Sequence, residues 1–233
     1  MPDRAPSAPL SRPSDQAATR RLVVTDVDST FLTQEVIELI AEHAGTRDEV
    51  AAVTERAMRG ELDFAASLRA RVATLRGVPV AALDAVRDAV VLTPGAAELV
   101  VEVHRRGWEF GLVSGGFAEI LAPLAADHGI TRWEANHLEV ADGVLTGRTV
   151  GPVVDRARKE ATLRRWAAEL DLTMDATVAV GDGANDLDMI GAAGVGIAFA
   201  AKPLVREQAP HSIDGPRLDE VLRIVDEVDS RRS

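Results

Sequence analysis

The segment from Leu22 to Thr30 constrains the fold of this chain more than any other. Leu22-Val23-Val24-Thr25 is a short, mostly apolar run of the kind that forms a buried strand. Asp26-Val27-Asp28-Ser29-Thr30 follows at once and brings two carboxylates and two hydroxyls. Because strand side chains repeat every second residue, Asp26 and Asp28 are predicted to leave the strand end on the same side. Two carboxylates this close repel each other unless a cation or a shared proton reduces the repulsion. The run therefore predicts a catalytic or cation-binding site, and a capping turn is the alternative when the run is taken alone.

Hydrophobic periodicity divides the rest of the chain into a helical block and an alternating block. Residues 33–91 are helical in pattern, with a first helix around Val36–Ile40 and further helices predicted at 48–58, 63–76 and 80–90. After Thr93-Pro94-Gly95 helices and strands alternate. The predicted helices are 96–105, 118–126, 158–170, 186–192 and 218–228, and the predicted strands are 109–113, 134–140, 144–150, 176–180 and 195–199, the second and third of these strands forming a hairpin.

This alternation predicts an α/β fold, a Rossmannoid parallel sheet with helices on both faces. Ligands of such sheets bind at the carboxyl ends of the strands. We expect three parts: a disordered Pro-rich tail at 1–18, a catalytic core made of 19–32 and 93–233, and a helical cap at 33–92 inserted after the first strand. The cap is then expected to stand over the ligand-binding edge.

Composition excludes several classes of function. The net charge of −11 and the pI near 4.9 argue against a nucleic-acid partner. The chain has no cysteine, which excludes disulfides, thiolate metal sites and cysteine nucleophiles. No apolar stretch approaches the roughly 20 residues of a membrane span, and the first residues lack the apolar core of a signal peptide. We therefore expect a cytoplasmic protein with no membrane partner.

Polar residues recur in a fixed order along the alternating block. Asp26 and Asp28 end the first strand, Ser114 follows the second in Leu112-Val113-Ser114-Gly115-Gly116, Lys159 begins a helix, and Asp182 and Asp186 lie in Gly181-Asp182-Gly183-Ala184-Asn185-Asp186. This order resembles the four motifs of the haloacid dehalogenase superfamily. The match extends further, because the chain from about Arg21 onward resembles the phosphoserine phosphatase family. Inside the predicted cap, four residues fall in stretches similar to that family's substrate-recognition segment: Glu35, Met58, Phe64 and Arg71.

The resemblance implies a role for each core residue. Asp26 is the expected nucleophile and forms an aspartyl-phosphate, and Asp28 is the expected general acid and base. Ser114 and the Gly115 N–H are expected to bind the phosphoryl oxygens, and Lys159 to place its positive charge against them. A surface lysine at a helix start and a common Ser-Gly-Gly turn are the alternatives if each is taken in isolation.

The resemblance also implies a Mg²⁺ site. Asp26, Asp182 and the Asp28 backbone carbonyl are expected to hold the ion, since magnesium favours hard oxygen ligands. Asp186 is expected to orient a ligand water or the Lys159 ammonium, with Asn185 in a similar supporting role. Helix capping is the alternative for Asp186.

In the cap, the resemblance implies recognition of a free amino-acid phosphate. Glu35 is expected to accept from the substrate ammonium, and Arg71 to bind the substrate carboxylate in a bidentate manner. Met58 and Phe64 are expected to form an apolar wall that dries the site when the cap closes. Without the resemblance, all four would be assigned to packing or to the solvated surface.

The leading hypothesis is a Mg²⁺-dependent hydrolase that converts O-phospho-L-serine to L-serine and phosphate, the closing step of the phosphorylated route to serine. A phosphotransferase that moves the phosphoryl group to homoserine, and a phosphatase of another small phosphomonoester, stay open. A small-molecule substrate is the expected partner, and a homodimer stays open as an assembly. About twenty residues precede the first motif, so an N-terminal amino-acid-sensing module of the kind some members carry is not expected.

Overall fold

A seven-stranded sheet forms the centre of the part of the chain that this computed structural model describes, residues 20–58 and 63–232. The strands stand in the order β4-β3-β2-β1-β5-β6-β7, and every neighbouring pair is parallel except the antiparallel hairpin β3–β4. Their bounds are Leu22–Thr25 (β1), Glu109–Phe117 (β2), Arg132–Ala141 (β3), Val144–Val150 (β4), Thr177–Gly181 (β5), Val195–Phe199 (β6) and His211–Ile213 (β7). The predicted α/β fold class is confirmed.

Helices cover both faces of this sheet, and the residues of β1 alternate between two apolar clusters on opposite faces. Val23 faces one cluster with α5, α6 and α10, and Leu22 and Val24 face the other with α7 and α8. Within the described residues, the helices are Val36–Ala44 (α1), Arg47–Met58 (α2), Phe64–Ala73 (α3), Ala82–Ala89 (α4), Ala96–Arg105 (α5), Ala118–Asp127 (α6), Arg156–Glu169 (α7), Leu187–Ala192 (α8), Pro203–Gln208 (α9) and Glu220–Arg232 (α10). Among them, none has the length and apolar character needed to cross a membrane.

The helices α1–α4 form a block between β1 and α5, and backbone contacts at two places help to fix its position. Where the chain enters and leaves the block, Leu32 and Leu92 form a β-bridge, and the Thr33 N–H donates to the Val91 carbonyl over 2.9 Å. On the far side, the turn after α3 is bound to the β3–β4 hairpin: the Gly77 N–H donates to the Leu145 carbonyl over 2.8 Å. The block therefore stands beside the carboxyl ends of the strands, above the edge that ligands of such sheets occupy.

Several local features differ from the sequence expectation, and the bounds of most other elements differ from the expected ones by a few residues. The second strand continues to Phe117 instead of ending at residue 113, with an irregularity after Val113. The sequence pattern does not predict helix α9 or strand β7. Strand β7 has only three residues, and α9 begins with Pro203, a residue type that is common in loops as well as at the start of helices. The expected tail at 1–18 lies outside the described residues.

Candidate active site

The carboxyl ends of β1, β2 and β5 bring the predicted core residues together. Asp26 follows β1, and its N–H donates to the Val180 carbonyl of the neighbouring strand over 2.8 Å. Ser114 lies in the irregular part of β2, and Asp182 directly follows β5. Lys159 reaches the same place from the first turn of α7. The site is thus built from four elements that the parallel sheet places side by side.

Lys159 is fully buried and its ammonium lies between two carboxylates. Its Nζ donates to Asp26 Oδ1 and, over 2.6 Å, to Asp186 Oδ1. The second oxygen of Asp186 accepts from the Gly183 N–H over 3.0 Å. Burial alone would lower the pKa of Lys159, but the charges of Asp186 and Asp26 outweigh burial and raise it. The ammonium is therefore held in its charged form against the Asp26 carboxylate.

Burial and mutual repulsion act on the carboxylates of the site. Burial raises the pKa of Asp26 well above its usual value, and the neighbouring Asp186, Asp182 and Asp28 add to this while Lys159 opposes it. The pKa of Asp182 is raised to about 7 by burial and then by the charge of Asp186. Such a cluster is poised to take up positive charge, either protons or a cation.

Asp28 is positioned by both of its oxygens. Its Oδ1 accepts from the Val36 N–H at the start of α1 over 2.7 Å, and its Oδ2 accepts from the Ser114 hydroxyl over 3.1 Å. Burial, followed by the charge of Glu35, raises the pKa of Asp28 to about 6. A carboxyl with this pKa exchanges a proton near neutral pH, as a general acid must.

The Ser114-Gly115-Gly116 segment approaches Asp28 closely. A Cβ on Gly116 would lie 2.6 Å from Asp28 Oδ2, so glycine is required there. The Gly116 N–H donates to Ser114 Oγ over 2.7 Å, which directs the serine hydroxyl hydrogen toward Asp28. Phe64 of α3 covers this segment, because a Cβ on Gly115 would lie 2.9 Å from Phe64 Cζ.

Three carboxylates fit a divalent cation. Asp26, Asp182 and Asp186 each offer an oxygen, and these oxygens lie within 4.8 Å of one another. Hard carboxylate oxygens at this spacing suit a divalent metal ion. Asp186 was expected to support the site rather than to offer a ligand, and the structure brings it as close as the other two. Asn185 lies between Asp182 and Asp186, with its side chain oxygen against Gly183.

Glu35 and Arg71, two of the predicted substrate selectors, interact with the carboxylates of this core. Glu35 accepts from the Ser29 hydroxyl over 2.8 Å, and its charge acts on Asp28, Asp182 and Arg71. Burial lowers the pKa of Arg71, while Glu35 opposes that effect. The Arg71 Nε is buried and has no hydrogen-bond partner among the described residues. The side chain of Met58 lies outside the described part of the structure, so that expectation stays a prediction.

Sequence reasoning gave no role to three polar side chains that line or support the site. Ser29 donates to Glu35, and Thr30 donates to Asp182 Oδ1 over 3.5 Å. Their place directly after Asp28 in the first motif was the available signal. The third, Asn136 on β3, contacts the Gly115 carbonyl, and nothing in its local sequence indicates this contact.

Comparison with known proteins agrees with this geometry. Residues 23–190 match the model of the haloacid dehalogenase-like hydrolase family. A phosphoserine phosphatase from Streptococcus thermophilus is 54% identical over 207 residues, which cover 89% of this chain and 96% of the relative. One from Mycobacterium tuberculosis is 53% identical over 204 residues, 88% of this chain, and the chain spans only 50% of that relative's length. A solved structure of a phospho-aspartyl intermediate analogue of phosphoserine phosphatase superposes with a TM-score of 0.83 at 38% identity, covering 88% of this chain and 98% of the other.

Proposed function

This chain belongs to the haloacid dehalogenase-like hydrolases and, within them, to the phosphoserine phosphatase family, and from that membership we propose that it hydrolyses O-phospho-L-serine to L-serine and phosphate. The proposed route is a phosphorylated aspartate, followed by attack of water on it. The family's role in serine biosynthesis and a cytoplasmic location come with this proposal.

Asp26 is the proposed nucleophile. Its carboxylate stands at the end of β1 against the buried Lys159 ammonium. That ammonium lowers the charge repulsion between the attacking carboxylate and a phosphoryl group. In the first step a bond forms between an Asp26 oxygen and phosphorus while the bond from phosphorus to the serine oxygen breaks.

Asp28 is the proposed general acid and base. A pKa near 6 leaves a protonated fraction that can give its proton to the leaving serine oxygen. The resulting Asp28 carboxylate then takes a proton from the attacking water. The water oxygen bonds to phosphorus while the bond from phosphorus to the Asp26 oxygen breaks, which releases phosphate and restores the Asp26 carboxylate. Ser114 and the Gly115 N–H are proposed to bind the phosphoryl oxygens, because the segment lies directly beside Asp28.

The proposed metal is Mg²⁺, held by Asp26, Asp182 and the Asp28 carbonyl, with Asp186 and Asn185 beside it. The closeness of three carboxylate oxygens supports a divalent cation at this place. A bound cation supplies positive charge that offsets the charge of the phosphoryl oxygens.

The observation that carries the substrate proposal is the buried Nε of Arg71 near Glu35, which has no hydrogen-bond partner within residues 20–58 and 63–232. A buried N–H without a partner is costly, so a ligand that accepts from it stabilises the site. A substrate carboxylate is such an acceptor, and the Glu35 carboxylate complements the substrate ammonium. Phe64 and Met58 are proposed as the apolar wall, and residues 33–92 as the cap that carries these selectors.

The test compares phosphate release from phosphoserine with release from p-nitrophenyl phosphate, which has neither ammonium nor carboxylate. The variant is Arg71→Ala, with Arg69→Ala as a matched control because Arg69 is exposed on the same helix. We expect Arg71→Ala to lower kcat/KM for phosphoserine by about 100-fold, the loss of a charge-assisted bidentate contact, and to change the aryl phosphate little. Asp26→Asn serves as the blank.

Equal losses on both substrates would remove Arg71 from substrate selection. Added homoserine distinguishes the acceptor: phosphohomoserine formed at the expense of phosphate would replace hydrolysis by phosphoryl transfer. Slow, uniform release from a panel of phosphomonoesters would leave the chemistry in place and overturn the phosphoserine assignment.

A further inference from the structure

The irregular part of β2 is held open by a residue of the next strand. Between β2 and β3, Val113 pairs with Glu134 and Phe117 pairs with Asn136. Three residues of β2 thus lie opposite one residue of β3, so Ser114-Gly115-Gly116 bulges out of the ladder. A bulge of this kind loses ladder hydrogen bonds and needs other partners to keep one conformation.

Asn136 supplies such a partner, and both the NH₂ group and the oxygen of its side-chain amide form hydrogen bonds. Its Nδ2 donates to the Gly115 carbonyl over 2.8 Å, and its Oδ1 accepts from the Val154 N–H over 2.9 Å. The residue is 1% exposed. Only one orientation of the amide satisfies both contacts, because a carbonyl needs a donor and an N–H needs an acceptor.

The first contact fixes the peptide plane that orients Ser114. The Gly115 carbonyl and the Gly116 N–H belong to one planar trans peptide unit and point in opposite directions. Asn136 holds the carbonyl end, and the N–H end donates to Ser114 Oγ over 2.7 Å. Ser114 in turn donates to Asp28. Rotation of this peptide would therefore release the serine hydroxyl from its direction toward Asp28.

The second contact ties the same residue to the segment that leads into α7. Val154 precedes Asp155, whose carboxylate accepts from the Arg158 N–H over 2.9 Å and caps the helix. The Asp155 carbonyl accepts from the Lys159 N–H over 2.9 Å. One buried amide thus joins the phosphoryl-binding bulge to the turn that carries the Lys159 ammonium.

We propose that Asn136 is a positioning residue, which sets the spacing between the Ser114–Gly116 bulge and the first turn of α7 without touching the substrate. The two groups must meet the same phosphoryl group from different elements, and small displacements of catalytic groups are costly in rate. Glu134, two residues earlier on β3, binds α7 on the same side through Arg158 and Thr162 and supports the same spacing.

The experiment measures kcat and KM on phosphoserine and on p-nitrophenyl phosphate, and inhibition by inorganic phosphate. Asn136→Ala removes both contacts. Asn136→Asp keeps an acceptor for the Val154 N–H and loses the donor to the Gly115 carbonyl, and it carries the test if the alanine variant does not fold. We expect kcat to fall by at least about 10-fold on both substrates, and the inhibition constant of phosphate to rise.

Leu138→Ala is the matched control for stability. Leu138 is buried two residues farther along β3 in the large apolar cluster, so this variant should lower Tm and keep kcat within about twofold. The proposal is overturned if the Asn136 variants lose Tm in the same way while kcat and phosphate inhibition stay unchanged. A loss confined to phosphoserine would also overturn it, because the residue would then act through substrate selection.

The inference rests on the proposed function only in the choice of phosphoserine as one substrate. Failure of the wild-type protein on phosphoserine would contradict the proposed function, while p-nitrophenyl phosphate and inorganic phosphate would still test Asn136. The two failures are therefore distinguishable.

Discussion

A single buried ammonium organises the carboxylates of the site. Lys159 is fully buried, yet its pKa is raised because Asp186 and Asp26 face it. The ammonium also lowers the pKa of Asp26, against burial and three acidic neighbours that raise it. The charge balance at Asp26 therefore depends on one side chain, and lysine suits this position because its ammonium is a compact point charge.

Replacing this ammonium should affect rate and stability together. We expect Lys159→Met to lower kcat by about 10²–10³, the usual effect of losing one group that stabilises transition-state charge. It should also destabilise the fold by about 3 kcal/mol, because Asp26 and Asp186 lose the partner that offsets their burial. Arg164→Met, on the exposed side of the same helix, is the control for both assays. Unchanged steady-state turnover in the lysine variant would contradict the charge role, and an unchanged urea midpoint would contradict the structural one.

The pKa of Asp28 predicts how the first chemical step depends on pH. Its folded value of about 6 lies above the ordinary 3.8, so the protonated acid is present below pH 6 and is lost as the pH rises through that value. Phosphorylation of the enzyme by phosphoserine, followed in a rapid single turnover, should therefore slow above about pH 6. Glu35→Gln removes the largest charge that raises this pKa, so the decline should begin at lower pH.

A substrate with a good leaving group provides the contrast. p-Nitrophenolate departs as an anion, so phosphorylation by p-nitrophenyl phosphate should not follow the Asp28 decline. The same decline on both substrates would show that another group controls the step.

At the scale of elements, the long periodic segments were predictable and the short ones were not. Helix α5 and strand β6 were predicted with the bounds they have, because each combines clear periodicity with flanking turn residues. The three-residue strand β7 carries too little pattern to be distinguished from a loop. The expected boundaries of the helical cap, at residues 33 and 92, rest on the change from a helical pattern to alternating helices and strands, and they stay a prediction.

The core site was predictable to the extent that its residues follow strand ends. Asp26, Asp28, Ser114 and Asp182 come together because a parallel sheet aligns its carboxyl ends. Lys159 joins them from the first turn of α7. The bulge after Val113 and the contact of Asn136 with Gly115 depend on register between β2 and β3, which no local pattern reports.

Two glycines near the end of β5 and in α8 should respond in opposite ways to the same substitution. A Cβ on Gly181 would lie 2.6 Å from both Cβ and Oδ2 of the buried Asp186, so Gly181→Ala should displace that carboxylate, destabilise the protein and lower kcat by at least about 10-fold. Gly191 lies exposed in α8 with nothing within 4 Å, so Gly191→Ala should stabilise the fold by about 0.5 kcal/mol and leave kcat unchanged. Chemical denaturation and steady-state kinetics measure both. Equal responses would contradict the packing argument.

At the scale of the whole molecule, backbone groups form two of the contacts that hold the helical block in place. One lies at the Leu32–Leu92 bridge, and the other joins the turn after α3 to the β3–β4 hairpin. Asp28 adds a third contact, because its carboxylate accepts from the Val36 N–H at the start of α1. The helical block and the end of β1 therefore both position Asp28, the proposed general acid, so a displacement of the block would move the hydrogen-bond partner of its carboxylate.

The acidic cluster should lower the stability of the whole molecule when no cation neutralises it. The folded pKa of Asp182, about 7, lies above its ordinary 3.8, so this carboxyl costs stability progressively as the pH rises from about 4 to about 7. In the presence of chelator at pH 8, Asp182→Asn should therefore stabilise the protein by about 1–2 kcal/mol, and the gain should shrink at pH 5.

Added Mg²⁺ should raise Tm of the wild type, because an ion bound to the native state stabilises it, and should have little effect on the variant. Thermal unfolding of the wild type and of Asp182→Asn, with chelator and with Mg²⁺, separates the charge repulsion from the binding of the ion. Equal Tm values for the two proteins in chelator would contradict the repulsion. Equal shifts of their Tm on adding Mg²⁺ would contradict the assignment of Asp182 as a ligand of the ion.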